Sequence, residues 1–99
     1  MSERRKKILN LVYEQYYTIE GTLIRRLLFY RDIDLTLWHL HREEDRLTYI
    51  ANQGKISELE SILTECLGFT DKDMTEIKVI ALESFSKSLS FKGGDAEQE

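Results

Sequence analysis

Apolar residues in the second half of this chain recur at helical spacing, and this feature constrains the fold more than any other. Between residues 57 and 67 they are Leu59, Ile62, Leu63, Cys66 and Leu67. Positions three and four residues apart fall on one face of an α-helix. Ser57 and Glu60 fit a capping box at the start of this helix, and Gly68 fits the left-handed residue at which helices commonly stop. The pattern predicts a helix over about residues 57 to 67.

A longer helix is predicted over residues 71–91. Thr70 and Asp73 repeat the capping pattern immediately before it. Its apolar residues cover nearly half of the helical circumference, which is more than a domain of this size needs to bury against itself. This face therefore either meets a second subunit or lies across the core of its own chain. In the first case the dimer interface would be formed by Ile77, Ile80, Ala81, Phe85 and Leu89.

The first half of the chain shows two weaker helical patterns. One apolar stripe begins near Arg4, and a second runs from Ile19 to Leu28. Between them, residues 16–21 combine β-forming tyrosines with a flexible glycine, which weakens helical continuity. Two helices are therefore favoured, while one continuous helix stays open because both stripes share one register. Residues 30–32 are predicted to form a turn.

Residues 32–41 fit two secondary structures. Polar and apolar residues alternate almost perfectly, as in a half-buried strand, yet the apolar positions also fit one face of a helix. On the helical interpretation, the helix ends near Asp45. Residues 46–57 then form a short β-hairpin around Gln53 and Gly54.

In this order of elements, residues 4–67 resemble the winged helix-turn-helix superfamily of bacterial and archaeal transcription regulators. The resemblance rests on the stretch KKILNLVYEQYYTIEGTLIRRLLFYRDIDLTLWHLHREEDRLTYIANQGKISELESIL. It implies a single domain over residues 1–91, mainly α with a small β-hairpin wing and a C-terminal dimerisation helix. It also implies that the third helix reads duplex DNA in the major groove, that the wing touches the DNA backbone or the minor groove, and that the second helix contacts phosphates. The residues that it assigns to DNA binding are Arg25, Arg26, Thr36, Trp38, His39, Arg42, Asn52, Gln53 and Lys55.

The charge distribution argues against DNA binding. The net charge is −4, and residues 56–99 hold ten acidic side chains against four basic ones. Residues 32–46, which include the expected reading helix, hold five acidic side chains against two arginines. Such a helix approaches phosphates at an electrostatic cost, because DNA binding draws much of its free energy from neutralising phosphates. The basic run at residues 4–7 is either a phosphate clamp or, more commonly, a solvated run of charge.

Other kinds of chemistry have little support in the sequence. His39, His41 and Glu43 would share one face of a strand, but nothing else completes a closed zinc site. The chain has no glycine-rich phosphate loop and no nucleophile with a plausible base, so we expect no cofactor and no enzymatic activity. With 99 residues, 41% of them hydrophobic, a lone Cys66 and no long apolar run, it fits one soluble, cytoplasmic domain. The glycine-rich, charged tail at 92–99 is predicted to be disordered.

Two functions remain as hypotheses. The first is a homodimeric, sequence-specific DNA-binding protein, either a transcription regulator or a DNA-organising protein of a plasmid or virus. The second is a small acidic helical adaptor or inhibitor that binds another protein. Neither hypothesis involves a membrane.

Overall fold

Helices account for most of the chain in the computed structural model, which describes residues 2–98 and, for the side chains, residues 2–89. The described part forms α1 (Glu3–Tyr13), α2 (Ile19–Leu40), α3 (Arg46–Ser61) and α4 (Asp71–Gln98). A 3-10 turn at Glu43–Asp45 leads into α3, and a π-helical turn at Ile62–Cys66 follows it. The central helix is α2, since it packs against the other three. None of these described helices combines the length and the apolar character that crossing a bilayer requires.

The predicted break between two N-terminal helices is confirmed. Residues 14–18 separate α1 from α2, and the Thr18 hydroxyl accepts a hydrogen bond from the Gly21 amide over 3.0 Å. A methyl group at Gly21 would lie 2.5 Å from the carbonyl oxygen of Leu11 and closer still to that of Gln15. The close approach of the two helices therefore requires glycine at this position.

The predicted turn at residues 30–32 is wrong, because α2 continues through it. This segment contains neither glycine nor proline, and its helical conformation allows Arg31 to donate a hydrogen bond to Glu60 of α3 over 2.9 Å. The ambiguity at residues 32–41 is resolved in favour of a helix, but the predicted second and third helices are one. This helix ends at His41, whose backbone is left-handed with φ 51°.

The predicted β-hairpin is also wrong. None of the described residues forms a β-strand, and residues 46–61 form α3 instead. Asn52, Ile56 and Leu59 recur at helical spacing, and all three are buried. Gly54, the expected turn residue, lies inside the helix with open space where a side chain would be. The fold class is therefore corrected from mainly α with a β-hairpin wing to all-helical over the described residues.

Of three local signals near the C-terminal helices, two are confirmed. Ser57 lies inside α3 rather than at a helix start, so the capping box predicted there is wrong. Gly68 adopts the predicted left-handed conformation, with φ 75°. Thr70 and Asp73 form the predicted capping box: the Asp73 amide donates to the Thr70 hydroxyl over 3.1 Å, and the Thr70 amide donates to the Asp73 carboxylate over 3.0 Å. The disorder of residues 92–99 stays a prediction, because their side chains lie outside the described part.

The hydrophobic core excludes the region where α2 passes into α3. Its members come from all four helices and from the segments next to α4: Ile8, Leu11, Val12, Ile24, Leu27, Ile56, Leu59, Leu63, Phe69, Met74, Ile77 and Ile80. None of residues 28–51 is buried. The C-terminal half of α2 and the N-terminal half of α3 therefore form an antiparallel helical hairpin that extends beyond the core.

Candidate functional site

The end of this hairpin is an exposed apolar surface, here called the hairpin tip (residues 37–50). Leu47 is 80% exposed, Trp38 62% and Ile50 57%. Trp38 and Tyr49 also line an open cavity between α2 and α3. Folded proteins rarely leave contiguous apolar surface in water unless it serves binding. The hairpin tip is therefore the first candidate site.

Short-range contacts fix the shape of the hairpin tip. The left-handed backbone of His41 reverses the chain, and its amide donates to the carbonyl oxygen of Leu37 over 3.2 Å. The His41 imidazole lies 5.3 Å from the Trp38 ring, measured between centroids. Arg42 donates from Nε to the Asp45 carboxylate over 2.7 Å, which closes the turn before α3. These contacts hold the exposed side chains on a defined turn.

Negative charge borders the hairpin tip. Five acidic side chains and two arginines occupy residues 32–46. Arg42 is already engaged, since its hydrogen bond to Asp45 and the charge of that carboxylate raise the pKa of the guanidinium above its ordinary value. Glu43 and Glu44 are exposed. The hairpin tip thus carries large exposed apolar side chains together with three acidic residues, Glu43, Glu44 and Asp45, and two arginines, Arg42 and Arg46.

A second exposed surface lies closer to the core, where the α1–α2 turn, α2 and α3 meet. We call it the basic-aromatic strip, and it consists of Tyr16, Arg25, Arg26, Phe29, Tyr30 and Lys55. The Arg25 guanidinium carbon lies 5.3 Å from the centroid of the Tyr16 ring, and Lys55 Nζ lies 5.1 Å from that of Tyr30. These cation–π contacts orient the charged groups along the rings.

Both arginines of the basic run at residues 4–7 pair with carboxylates of α4, while Lys6 and Lys7 are exposed. Arg4 Nε lies 3.1 Å from the Asp73 carboxylate. Arg5 pairs with Glu76 at 3.7 Å and also with Glu83. The run therefore joins α1 to α4, and these two arginines are already paired with carboxylates.

Asp73 is the most constrained carboxylate in this contact between α1 and α4. Burial is the largest single influence on it and by itself raises the pKa of the carboxyl group. Hydrogen bonds from Thr70, the charge of Lys7 and the hydrogen bond from Arg4 together outweigh burial, so the pKa of Asp73 lies below its ordinary value. The carboxylate is therefore charged at neutral pH and joins α1, the capping turn and α4.

The residues predicted to bind DNA do not form one surface. Four of them follow α2 to its end and into the turn, namely Thr36, Trp38, His39 and Arg42. Arg25, Arg26 and Lys55 converge instead on the basic-aromatic strip.

Asn52 and Gln53, predicted to lie on the wing, are instead engaged within the chain. Asn52 is only 5% exposed and donates from Nδ2 to the carbonyl oxygen of Tyr30 over 2.8 Å. Gln53 donates to the carboxylate of Asp34. Both side chains join α3 to α2, so neither is presented to a ligand.

Most of the predicted dimer interface is taken up by the chain itself. Ile77, Ile80 and Ala81 are buried in the core, which fits the interpretation that the last helix lies across its own domain. Phe85 is half-buried, and Leu89 is exposed. The three buried residues leave almost no surface for a second subunit in this fold, and the homodimer with its interface stays a prediction.

Several exposed apolar side chains are absent from the sequence-based predictions. Leu47 and Ile50 belong to the segment predicted as a β-hairpin, although their spacing of three residues fits a helix face. Phe29 lies four residues after Arg25, which was predicted to bind DNA, and this spacing places the two on one face of α2. Among the described residues, no three His, Cys, Asp or Glu side chains are grouped so as to hold a metal ion.

Comparison with protein-family models, with curated proteins and with solved structures found no match to this chain.

Proposed function

We propose that this protein is a small helical adaptor or inhibitor that acts by binding another protein through the hairpin tip. The proposal rests on the exposure of large apolar side chains on one helical hairpin: Trp38, Leu40, Leu47, Tyr49 and Ile50. The core does not account for these side chains, because none of residues 28–51 is buried. Burial of such apolar surface at an interface with another protein is favourable in free energy, because it removes the surface from water.

The partner that fits the hairpin tip has an apolar surface bordered by basic side chains. The excess of acidic over basic residues at 32–46 attracts cations to the border. Trp38 and Tyr49 belong to the residue types that carry most binding free energy at protein interfaces. An amphipathic helix with lysine or arginine beside its apolar face has the required chemistry.

Two features favour protein binding over recognition of duplex DNA. The segment expected to form the wing is helical, and Asn52 and Gln53 within it are bonded to α2. The helix end expected to read bases belongs to residues 32–46, where acidic side chains outnumber arginines and would repel phosphates.

Trp38 allows a direct test, because it is the only tryptophan in the chain and lies on the hairpin tip. Two synthetic amphipathic helices of about 18 residues, or five turns, serve as probes. One is built from leucine and lysine, the other from leucine and glutamate. We expect the leucine–lysine helix to shift Trp38 fluorescence to shorter wavelength at micromolar concentration, and the leucine–glutamate helix to have no effect.

A pair of double variants shows whether the hairpin tip is the contact surface. Leu47→Ala with Ile50→Ala removes apolar area from the tip, while Ile19→Ala with Leu82→Ala removes similar exposed area elsewhere. Full burial of one such side chain stabilises a complex by about 1.5–3 kcal/mol. Because Leu47 is 80% and Ile50 57% exposed, their burial together contributes at least about 2 kcal/mol, so loss of both weakens binding by at least about thirtyfold. The control pair should bind like the wild type.

Three results would contradict the proposal. They are equal affinities of the tip variant and the control variant, a preference for the leucine–glutamate helix, and a doubled molar mass by light scattering that depends on Leu47 and Ile50. The last result would assign the hairpin tip to a second copy of the chain.

Proteins from the source cells that bind the wild type and the control variant, but not the tip variant, are candidate natural partners. Each must then bind in purified form.

A further inference from the structure

The basic-aromatic strip is separate from the hairpin tip. It lies about 20 Å from the tip along α2, since Arg25 and Trp38 are 13 residues apart at about 1.5 Å per residue. Its groove is open and is lined by Tyr16, Arg25, Arg26 and Phe29 at one end. A neighbouring groove shares Arg26 and Tyr30 with the first and is lined also by Lys55 of α3.

The cations of the strip are available to a ligand. Among the side chains that the structure describes, no carboxylate forms an ion pair with Arg25, Arg26 or Lys55. Arg4 and Arg31, by contrast, are paired with carboxylates of other helices. One acidic residue, Glu58, lines the groove beside Lys55. The strip is therefore a local positive surface on a chain whose net charge is −4.

Aromatic rings alternate with these cations. Tyr16 and Phe29 are each more than half exposed, so each ring keeps surface for a planar group, although Arg25 lies over one face of Tyr16. The Phe29 and Tyr30 rings meet edge to face, with centroids 5.4 Å apart. Arg25 and Phe29 lie about one helical turn apart on the same face of α2. A ligand bound along this face of α2 would contact a cationic side chain and then an aromatic ring.

We propose that the basic-aromatic strip binds single-stranded nucleic acid. The phosphates contact Arg25, Arg26 and Lys55, and two bases stack on Tyr16 and Phe29. Surfaces that combine cations with exposed rings bind unpaired strands, because every base has a face that can stack. A duplex keeps its bases inside and leaves these rings unused. An acidic peptide would satisfy the cations but not the two open rings.

The experiment is fluorescence anisotropy of labelled oligo(dT) and oligo(U) of about 16 nucleotides, with a duplex of equal length for comparison. We expect both single strands to bind more tightly than the duplex, and their relative affinities show whether DNA or RNA is preferred. Three phosphate contacts on a single strand give a slope of about −2 in log affinity against log salt. Binding should therefore weaken about twentyfold between ~50 and ~200 mM salt.

Variants separate the two kinds of contact. Arg25→Gln with Arg26→Gln should reduce the salt slope by about 1.4 and weaken binding at low salt. Phe29→Ala should weaken binding at least about fivefold while leaving the slope unchanged, because it removes a ring and no charge. Lys78→Gln with Lys87→Gln makes the same charge change on exposed positions of α4 and should bind like the wild type. Circular dichroism checks that each variant is folded.

Several outcomes would overturn the proposal. One is no binding of either single strand at ~50 mM salt, where electrostatic attraction is strongest. Others are duplex binding as tight as single-strand binding, or an affinity that does not respond to Phe29→Ala. Binding of a poly-glutamate peptide that depends on Arg25 and Arg26, without oligonucleotide binding, would assign the strip to an acidic protein. Because Leu47→Ala with Ile50→Ala leaves the strip intact, that variant should still bind oligo(dT), and the two proposals can fail independently.

Discussion

Replacing Gly54 by alanine distinguishes the helix at residues 46–61 from the β-hairpin that the sequence predicted for this segment. Inside an α-helix, alanine is more favourable than glycine by about 0.8–1.0 kcal/mol. No atom outside the local backbone lies within 4 Å of the position that the new methyl group would take, so no clash opposes this gain. We therefore expect Gly54→Ala to raise the free energy of unfolding by about 1 kcal/mol.

Thermal and urea unfolding followed by circular dichroism measure this gain. For a domain of this size, about 1 kcal/mol corresponds to a rise in Tm of about 4–8 °C. The urea midpoint should rise with an unchanged slope, because the variant exposes the same surface when it unfolds.

Gly68→Ala is the matched control, since the same methyl group is added to a residue with φ 75°. The left-handed backbone costs a residue with a Cβ about 1–2 kcal/mol, so this variant should unfold at lower temperature. A fall in Tm for Gly54→Ala as large as that for Gly68→Ala would mean that Gly54 also needs a left-handed backbone. The helical assignment of residues 46–61 would then be refuted.

Three further predictions concern stability. Asp73→Asn should unfold more easily than the wild type at neutral pH. The folded-state pKa of Asp73 lies below its ordinary value of 3.8, so the charged carboxylate stabilises the fold above that pH. The difference in stability between the two proteins should therefore shrink as the pH falls below about 4. A difference in urea unfolding that stays constant from pH 7 to pH 3 would exclude the carboxylate as its source. Gly21→Ala should lose about 1–3 kcal/mol in urea unfolding, since its methyl group meets backbone oxygens of α1 and the turn; wild-type stability would disprove the close approach. Asn52→Ala should lose about 1–2 kcal/mol with the hydrogen bond to Tyr30, whereas a residue on an exposed wing would lose nothing measurable.

The parts of the fold that the sequence predicted correctly depend on contacts within a few residues. The Thr70–Asp73 capping box and the left-handed Gly68 are defined by neighbours in the chain. The break between α1 and α2 is equally local, because Thr18 caps α2 through Gly21. These local signals predict the same backbone conformation regardless of which element the helix packs against.

The wrong predictions depend on contacts between distant segments. Gln53 and Gly54 look like a turn in isolation, but Gln53 is bonded to Asp34 and the surrounding helix is held by buried neighbours. Ser57 and Glu60 have capping-box spacing by coincidence, because the helix had already begun at Arg46.

The candidate site could be predicted only in part. Arg25, Arg26 and Lys55 were identified as cations that meet a polyanion, but the rings beside them depend on how α1, α2 and α3 pack. The pairing of the basic run at residues 4–7 with α4 joins residues about 70 positions apart in the chain, and no local pattern reports such a pairing.

The absence of buried residues between 28 and 51 has an evolutionary consequence. The residues that form the core and those exposed on the hairpin tip are almost separate sets. Substitutions at the exposed positions between Leu37 and Ile50 therefore leave the packing of the core unchanged. On the proposed function, the surface offered to a partner can change in evolution while the fold is kept.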